Sequence, residues 1–88
     1  MPEFLLELYV ARSDGDAVER AVAGARLAAE ALTRDGTPVR CLSSIFVPED
    51  ETCFLLYEAA SEHLVREAAL RAALAFDRIT AASLPLKV

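Results

Sequence analysis

The chain has no tryptophan, one methionine, one histidine, two cysteines and three glycines in 88 residues. Each shortage removes a class of function. A single histidine, His63, has no second nitrogen or sulfur donor at ligand spacing, so the sequence offers no metal site and calls for no cofactor. His63 falls in the first turn of a helical stretch, off its apolar stripe, and reads as a solvated side chain. The three glycines never cluster, so no strand runs into a glycine-rich phosphate cradle, and no serine sits in a nucleophile elbow. The nine basic residues are scattered, never adjacent, and outnumbered by fourteen acids, for a net charge of −5. A nucleic-acid backbone or an anionic membrane requires a clustered positive face, so neither is expected as a partner. No hydrophobic run is long enough to span a bilayer, since Phe4 to Val10 is short and contains Glu7. Met1-Pro2-Glu3 has no basic flank of the signal-peptide kind, and the expected location is the cytoplasm.

Hydrophobic residues are abundant, at 55% of the chain. That is a high share for one small domain spanning residues 1–88, because small domains bury a lower fraction of their surface. Excess apolar surface calls for a partner, and a second copy is the simplest one.

Period-two and helical patterns alternate along the chain. The first strand is Glu3 to Val10, with Phe4, Leu6, Leu8 and Val10 on an apolar face and Glu3, Leu5, Glu7 and Tyr9 on a mixed one. Ser13 or Asp14 caps a helix from about Asp16 to Arg34, whose stripe is Val18, Val22, Ala25, Ala29 and Leu32. Asp35-Gly36-Thr37-Pro38 stops it. Gly24, inside this helix, reads as a close-packing position on the sheet; the competing reading is room for a ligand between helix and sheet. The second strand is Val39 to Val47 and the third Thr52 to Glu58. Pro48-Glu49-Asp50-Glu51 joins them as a solvated turn, since it lacks the spaced oxygens and the glycine of a calcium loop. Ser61 caps a second helix with a stripe of Leu64, Val65, Ala68, Ala72 and Ala75. Phe76-Asp77-Arg78 reads as a turn, Ile79 to Leu84 as the last strand, and Pro85 as its end before a short tail.

Two strand-helix-strand units joined by a tight hairpin define an α+β class: ferredoxin-like βαββαβ, a four-stranded antiparallel sheet with two helices on one face. Right-handed crossovers put the third strand between the first and second, and the first between the fourth and third. The other sheet face has no covering element. A dimer of the α+β barrel type, in which two sheets stack, is the expected remedy.

A hairpin symmetric about Glu49 and Asp50 sets Val47 against Thr52, Phe46 against Cys53 and Cys41 against Glu58. The two cysteines then stand roughly 20 Å apart, too far for a disulfide. Both read as packing residues. In this register Arg40, Ser44 and Tyr57 share a face. Matching it to the mixed face of the first strand brings Glu7, Tyr9, Arg40, Ser44 and Tyr57 together as a candidate ligand pocket. The bland alternative is a Glu7–Arg40 ion pair at a sheet-sheet interface with the tyrosines as packing.

The stretch SIFVPEDETCFLLYEAASEHLVREAALRAALAFDRI, Ser44 to Ile79, and the opening PEFLLELYV resemble a family of small bacterial ferredoxin-like proteins of largely unknown function, often labelled nickel-binding. The shared features are a strand ending in Tyr57, the helical Arg66-Glu67-Ala68-Ala69, and Asp77-Arg78-Ile79. The resemblance implies the fold and a dimer. The pattern's two histidines fall on Ser43 and Ala68, neither of which donates imidazole, so nickel binding is not inherited.

Two readings of function follow, with the nickel binding that the resemblance implies a third, disfavoured by the missing histidines. One is a homodimeric module that interacts with a partner or holds a small apolar or aromatic ligand. The other is a cofactor-free enzyme, a cyclase, isomerase or monooxygenase of aromatic or polyketide-like substrates, with Glu7 as general base and Tyr57 or Arg40 steadying an enolate. That second reading rests on analogy of fold.

Overall fold

A computed structural model of the protein describes residues 1–83. Its elements are β1 (Glu3–Tyr9), α1 (Gly15–Arg34), β2 (Val39–Val47), a 3-10 turn (Pro48–Asp50), β3 (Thr52–Ala59), α2 (Glu62–Arg71) and β4 (Phe76–Ala82). The strands form one antiparallel sheet in the order β2-β3-β1-β4. This is the expected ferredoxin-like arrangement. Two layers account for a slab of 37 × 35 × 18 Å.

Alternation along β1 and β3 decides which side is covered. Phe4, Leu6 and Leu8 on β1 and Cys53, Leu55, Tyr57 and Ala59 on β3 are buried under the helices. From above, α1 contributes Ala21, Ala25, Ala29 and Leu32, and α2 contributes Val65, Ala68 and Ala69. The helix side chains are mostly alanine, so the helices lie close to the sheet and the larger strand residues fill the core.

Asp14 caps α1, its carboxylate accepting from the Ala17 N–H at 3.1 Å. Glycine ends the helix as expected: Gly36 is left-handed at φ 97°, and the Thr37 N–H closes back on the Leu32 carbonyl. Ser61 occupies the N-cap of α2 without a side-chain hydrogen bond.

The second helix is shorter than its alanine pattern predicts. It stops at Arg71, and Ala73 turns the chain at φ 57°. Phe76-Asp77-Arg78 is therefore not a turn but the start of β4, with Phe76 paired to Leu8 and Arg78 to Glu7. Phe76 lies beneath the Arg66 guanidinium, 5.4 Å from ring centre. Pairing with β1 outweighs the helical propensity of Ala72 to Ala75. The predicted end of the last strand at Leu84, the stop at Pro85 and the tail lie outside the described residues.

A β-bulge corrects the hairpin register. From Val47–Thr52 to Ser43–Leu56 the pairs are those predicted. Leu42 is then an extra residue, so Cys41 pairs with Tyr57 and Arg40 with Glu58. One inserted residue carries each side chain beyond it to the other face. Cys41 is now four residues along the ladder from Cys53, about 13 Å, and both thiols are free.

Candidate functional site

The open side of the sheet reads as four rows, taken from β2 across to β4. The first is Arg40, Glu58, Glu3 and Ala82; the second is Ser43, Leu56, Leu5 and Thr80; the third is Ile45, Phe54, Glu7 and Arg78. The last is Val47, Thr52 and Tyr9. Its middle is apolar, and a shallow hollow of about 220 Å³ lies over Leu5, Ile45, Phe54 and Leu56. Ile45, on the edge strand β2, and Tyr9, at the end of β1, are each 62% exposed.

Two cross-strand ion pairs flank this patch. Arg40 reaches Glu58 at 3.4 Å, and Arg78 donates to the Glu7 carboxylate. The expected Glu7–Arg40 pair is thus replaced by two others. Without the bulge Arg40 falls on the face opposite Glu58, and Arg78 is hidden in the predicted turn. A strand pattern beginning at Phe76 was the available signal for Arg78.

The five candidate pocket residues do not share a face. Glu7, Tyr9 and Arg40 lie on the open side. Ser44, paired with Leu55, and Tyr57, paired with Cys41, lie on the helix side. Tyr57 is wholly buried, and its hydroxyl has no hydrogen-bond partner. Burial pushes its phenol well above the usual value, and Cys41 adds to this. A base at Glu7 and an enolate-steadying phenol at Tyr57 are separated by the sheet itself, so that catalytic pairing is not formed. Tyr9 is engaged elsewhere, its hydroxyl donating to Glu51 at 3.4 Å. The same Glu51 carboxylate accepts the Arg12 N–H at 3.0 Å. Glu51 holds this position with a left-handed backbone, φ 50°, and so ties the β2–β3 connection to the β1–α1 loop.

Burial also raises the two thiols. For Cys41 burial dominates, the Arg26 guanidinium opposes it and Cys53 reinforces it; for Cys53 burial acts alone. Neither is poised as a thiolate nucleophile.

Gly24 faces α2 rather than the sheet. A Cβ there would meet the Ala72 carbonyl oxygen at 3.8 Å, an ordinary contact. It is a helix-helix position, and neither of the two sequence readings of it holds.

Ser43 and Ala68, where the nickel-labelled pattern has histidines, stand on opposite sides of the sheet: Ser43 is on the open face and Ala68 is buried on the inner side of α2. Among the described residues no three His, Cys, Asp or Glu side chains converge. No helix among them is long and apolar enough to cross a membrane.

No protein-family model and no curated protein matches this sequence. A solved structure does match. The chain is similar to SCO4226 from Streptomyces coelicolor A3(2), known from its crystal structure, with a TM-score of 0.71 at 21% identity. The match covers 98% of this chain and 99% of that one. A likeness of this depth at this identity speaks to the fold: the two chains share the ferredoxin-like α+β architecture.

Proposed function

We propose that the protein is a homodimeric interaction module in which two copies stack their open sheet faces. One observation carries the reading: a continuous apolar patch of Leu5, Ile45, Phe54, Leu56 and Val47 in the middle of a face that no described element covers. A second copy suits this face for two reasons. The charges around the patch are already neutralised within the chain, as Glu7–Arg78 and Arg40–Glu58. Docking a like face on it therefore leaves these four charges paired, with Glu3 on the outermost row the carboxylate that has no basic partner among the described residues. The area is also enough for a weak pair. Four strands of seven to nine residues make a face of roughly 20 by 23 Å. Pairing two such faces covers on the order of 900 Å² in total, in the range of weak, reversible interfaces.

Light scattering on a sizing column tests this. The expected result is a particle of twice the chain mass, converted to one chain mass by Ile45→Glu or Phe54→Glu with the circular dichroism unchanged. A wild-type protein that stays at one chain mass at about millimolar concentration, where even weak specific pairs form, overturns the reading.

A further inference from the structure

A cleft of about 470 Å³ opens on the other side of the sheet, between the C-terminal half of α1 and the start of β2. Its size falls in the range of small-molecule sites. The floor is apolar: Ala29 and Val39 are buried, and Cys41 is half-buried beside them. One end is closed by Thr33, whose hydroxyl donates to the Val39 carbonyl at 2.9 Å and accepts the Val39 N–H at 3.1 Å. That clamp holds helix and strand at a set separation.

The rim is cationic in an acidic protein. Arg26 and Arg34 stand on α1, Arg40 stands on β2, and a single acid, Glu30, lies between the helical pair. Among the described residues neither Arg26 nor Arg34 has a carboxylate within salt-bridge distance, whereas Arg20, Arg66, Arg71 and Arg78 all do. The third, Arg40, points to the open side of the sheet, where it pairs with Glu58 at 3.4 Å, and it borders the cleft only at the edge of β2. Guanidinium groups with donors to spare, set over an apolar floor, are the means by which proteins hold carboxylate, phosphate or sulfonate groups. Two unpaired guanidinium groups beside one carboxylate leave this rim with a positive balance in a chain whose net charge is −5.

We infer that this cleft binds a small organic anion, its apolar body lying over Ala29, Val39 and Cys41 and its acidic group in reach of Arg26 and Arg34. Glu30 opposes the anion and sets the affinity low. Tyr57, wholly buried, does not line the cleft. The site is on the helix side, so it is independent of any pairing between open sheet faces.

The test uses 8-anilinonaphthalene-1-sulfonate, a sulfonate on an aromatic body, and its uncharged relative N-phenyl-1-naphthylamine. Binding is read by fluorescence and located by amide chemical shifts. The sulfonate is expected to shift the amides of Ala29, Thr33, Val39 and Cys41. Arg26→Gln with Arg34→Gln, both at exposed positions that the fold does not need, lowers its affinity roughly tenfold, as losing two solvent-screened charge contacts implies. Glu30→Gln tightens it, and the uncharged relative binds more weakly than the sulfonate. Shifts confined to Leu5, Ile45, Phe54 and Leu56 would place the probe on the open sheet face and overturn the inference. So would an affinity untouched by the double arginine substitution, or an uncharged relative that binds equally well.

Discussion

Cys41 stands directly opposite Tyr57 on the helix side of the sheet, because Leu42 enters β2 as an extra residue. That pairing buries a phenol whose hydroxyl finds no partner. A buried hydroxyl without a hydrogen bond is a net cost. Tyr57→Phe is therefore expected to stabilise the protein by about 1 kcal/mol in urea unfolding. A loss of similar size would show that the hydroxyl is bonded after all.

The same burial sets the response to alkali. Cys41, Cys53 and Tyr57 all have folded values raised above the usual 9.0 and 10.0. Each is neutral in both states at lower pH, so its contribution is intact there. As pH climbs past the unfolded values the unfolded chain loses protons first, and stability falls until the folded groups also ionise. Thermal melts across this range should show a decline that begins with the thiols near pH 9 and steepens above pH 10 with the phenol. Tyr57→Phe should flatten the upper part and leave the lower part. A melting temperature that is level across the range in the wild type would contradict this account.

Gly24 and Ala73 are each in the place that suits the other. Gly24 is helical with room for a methyl group, and Ala73 holds a left-handed backbone. Gly24→Ala should add about 1 kcal/mol by helix propensity. Ala73→Gly should add about 0.5–1 kcal/mol by removing the left-handed strain. Gly24 looks onto Ala72, the residue before Ala73, so the two changes can couple. A double-mutant cycle by urea unfolding measures both the gains and the coupling.

Leu5 and Leu6 are sequence neighbours on opposite faces of β1 and separate the two roles of the sheet. Leu6 is wholly buried in the chain's own core, and Leu6→Ala should cost about 2–5 kcal/mol of unfolding free energy. Leu5 lies in the open patch. Leu5→Ala should cost the dilute chain roughly 1 kcal/mol or less, while weakening self-association about tenfold. Denaturation and light scattering on the same two variants read out both quantities. Equal effects of the two variants on both would mean that the faces are not distinct.

Much of this architecture was legible in the chain. The alternation of Phe4, Leu6, Leu8 and Val10 against Leu5, Glu7 and Tyr9, the alanine stripe of α1, Gly36 after its end and the acidic hairpin turn each report a local preference. Together those preferences determine the order of elements, and the handedness of crossovers then determines the order of strands. What the residues did not disclose was the bulge at Leu42, the early stop of α2 at Arg71, and hence the partners of Glu7 and Arg40. These depend on which residues meet across the sheet, and a strand's own pattern is unchanged when its neighbour slips by one. The candidate pocket failed for two such reasons: the pairing of β1 with β3 set Glu7 and Tyr9 on the face away from Ser44 and Tyr57, and the inserted residue in β2 parted Arg40 from Tyr57. The cleft beside Arg26 and Arg34 likewise exists only once α1 is laid along β2, since nothing in the spacing of two helical arginines announces the strand that packing sets next to them.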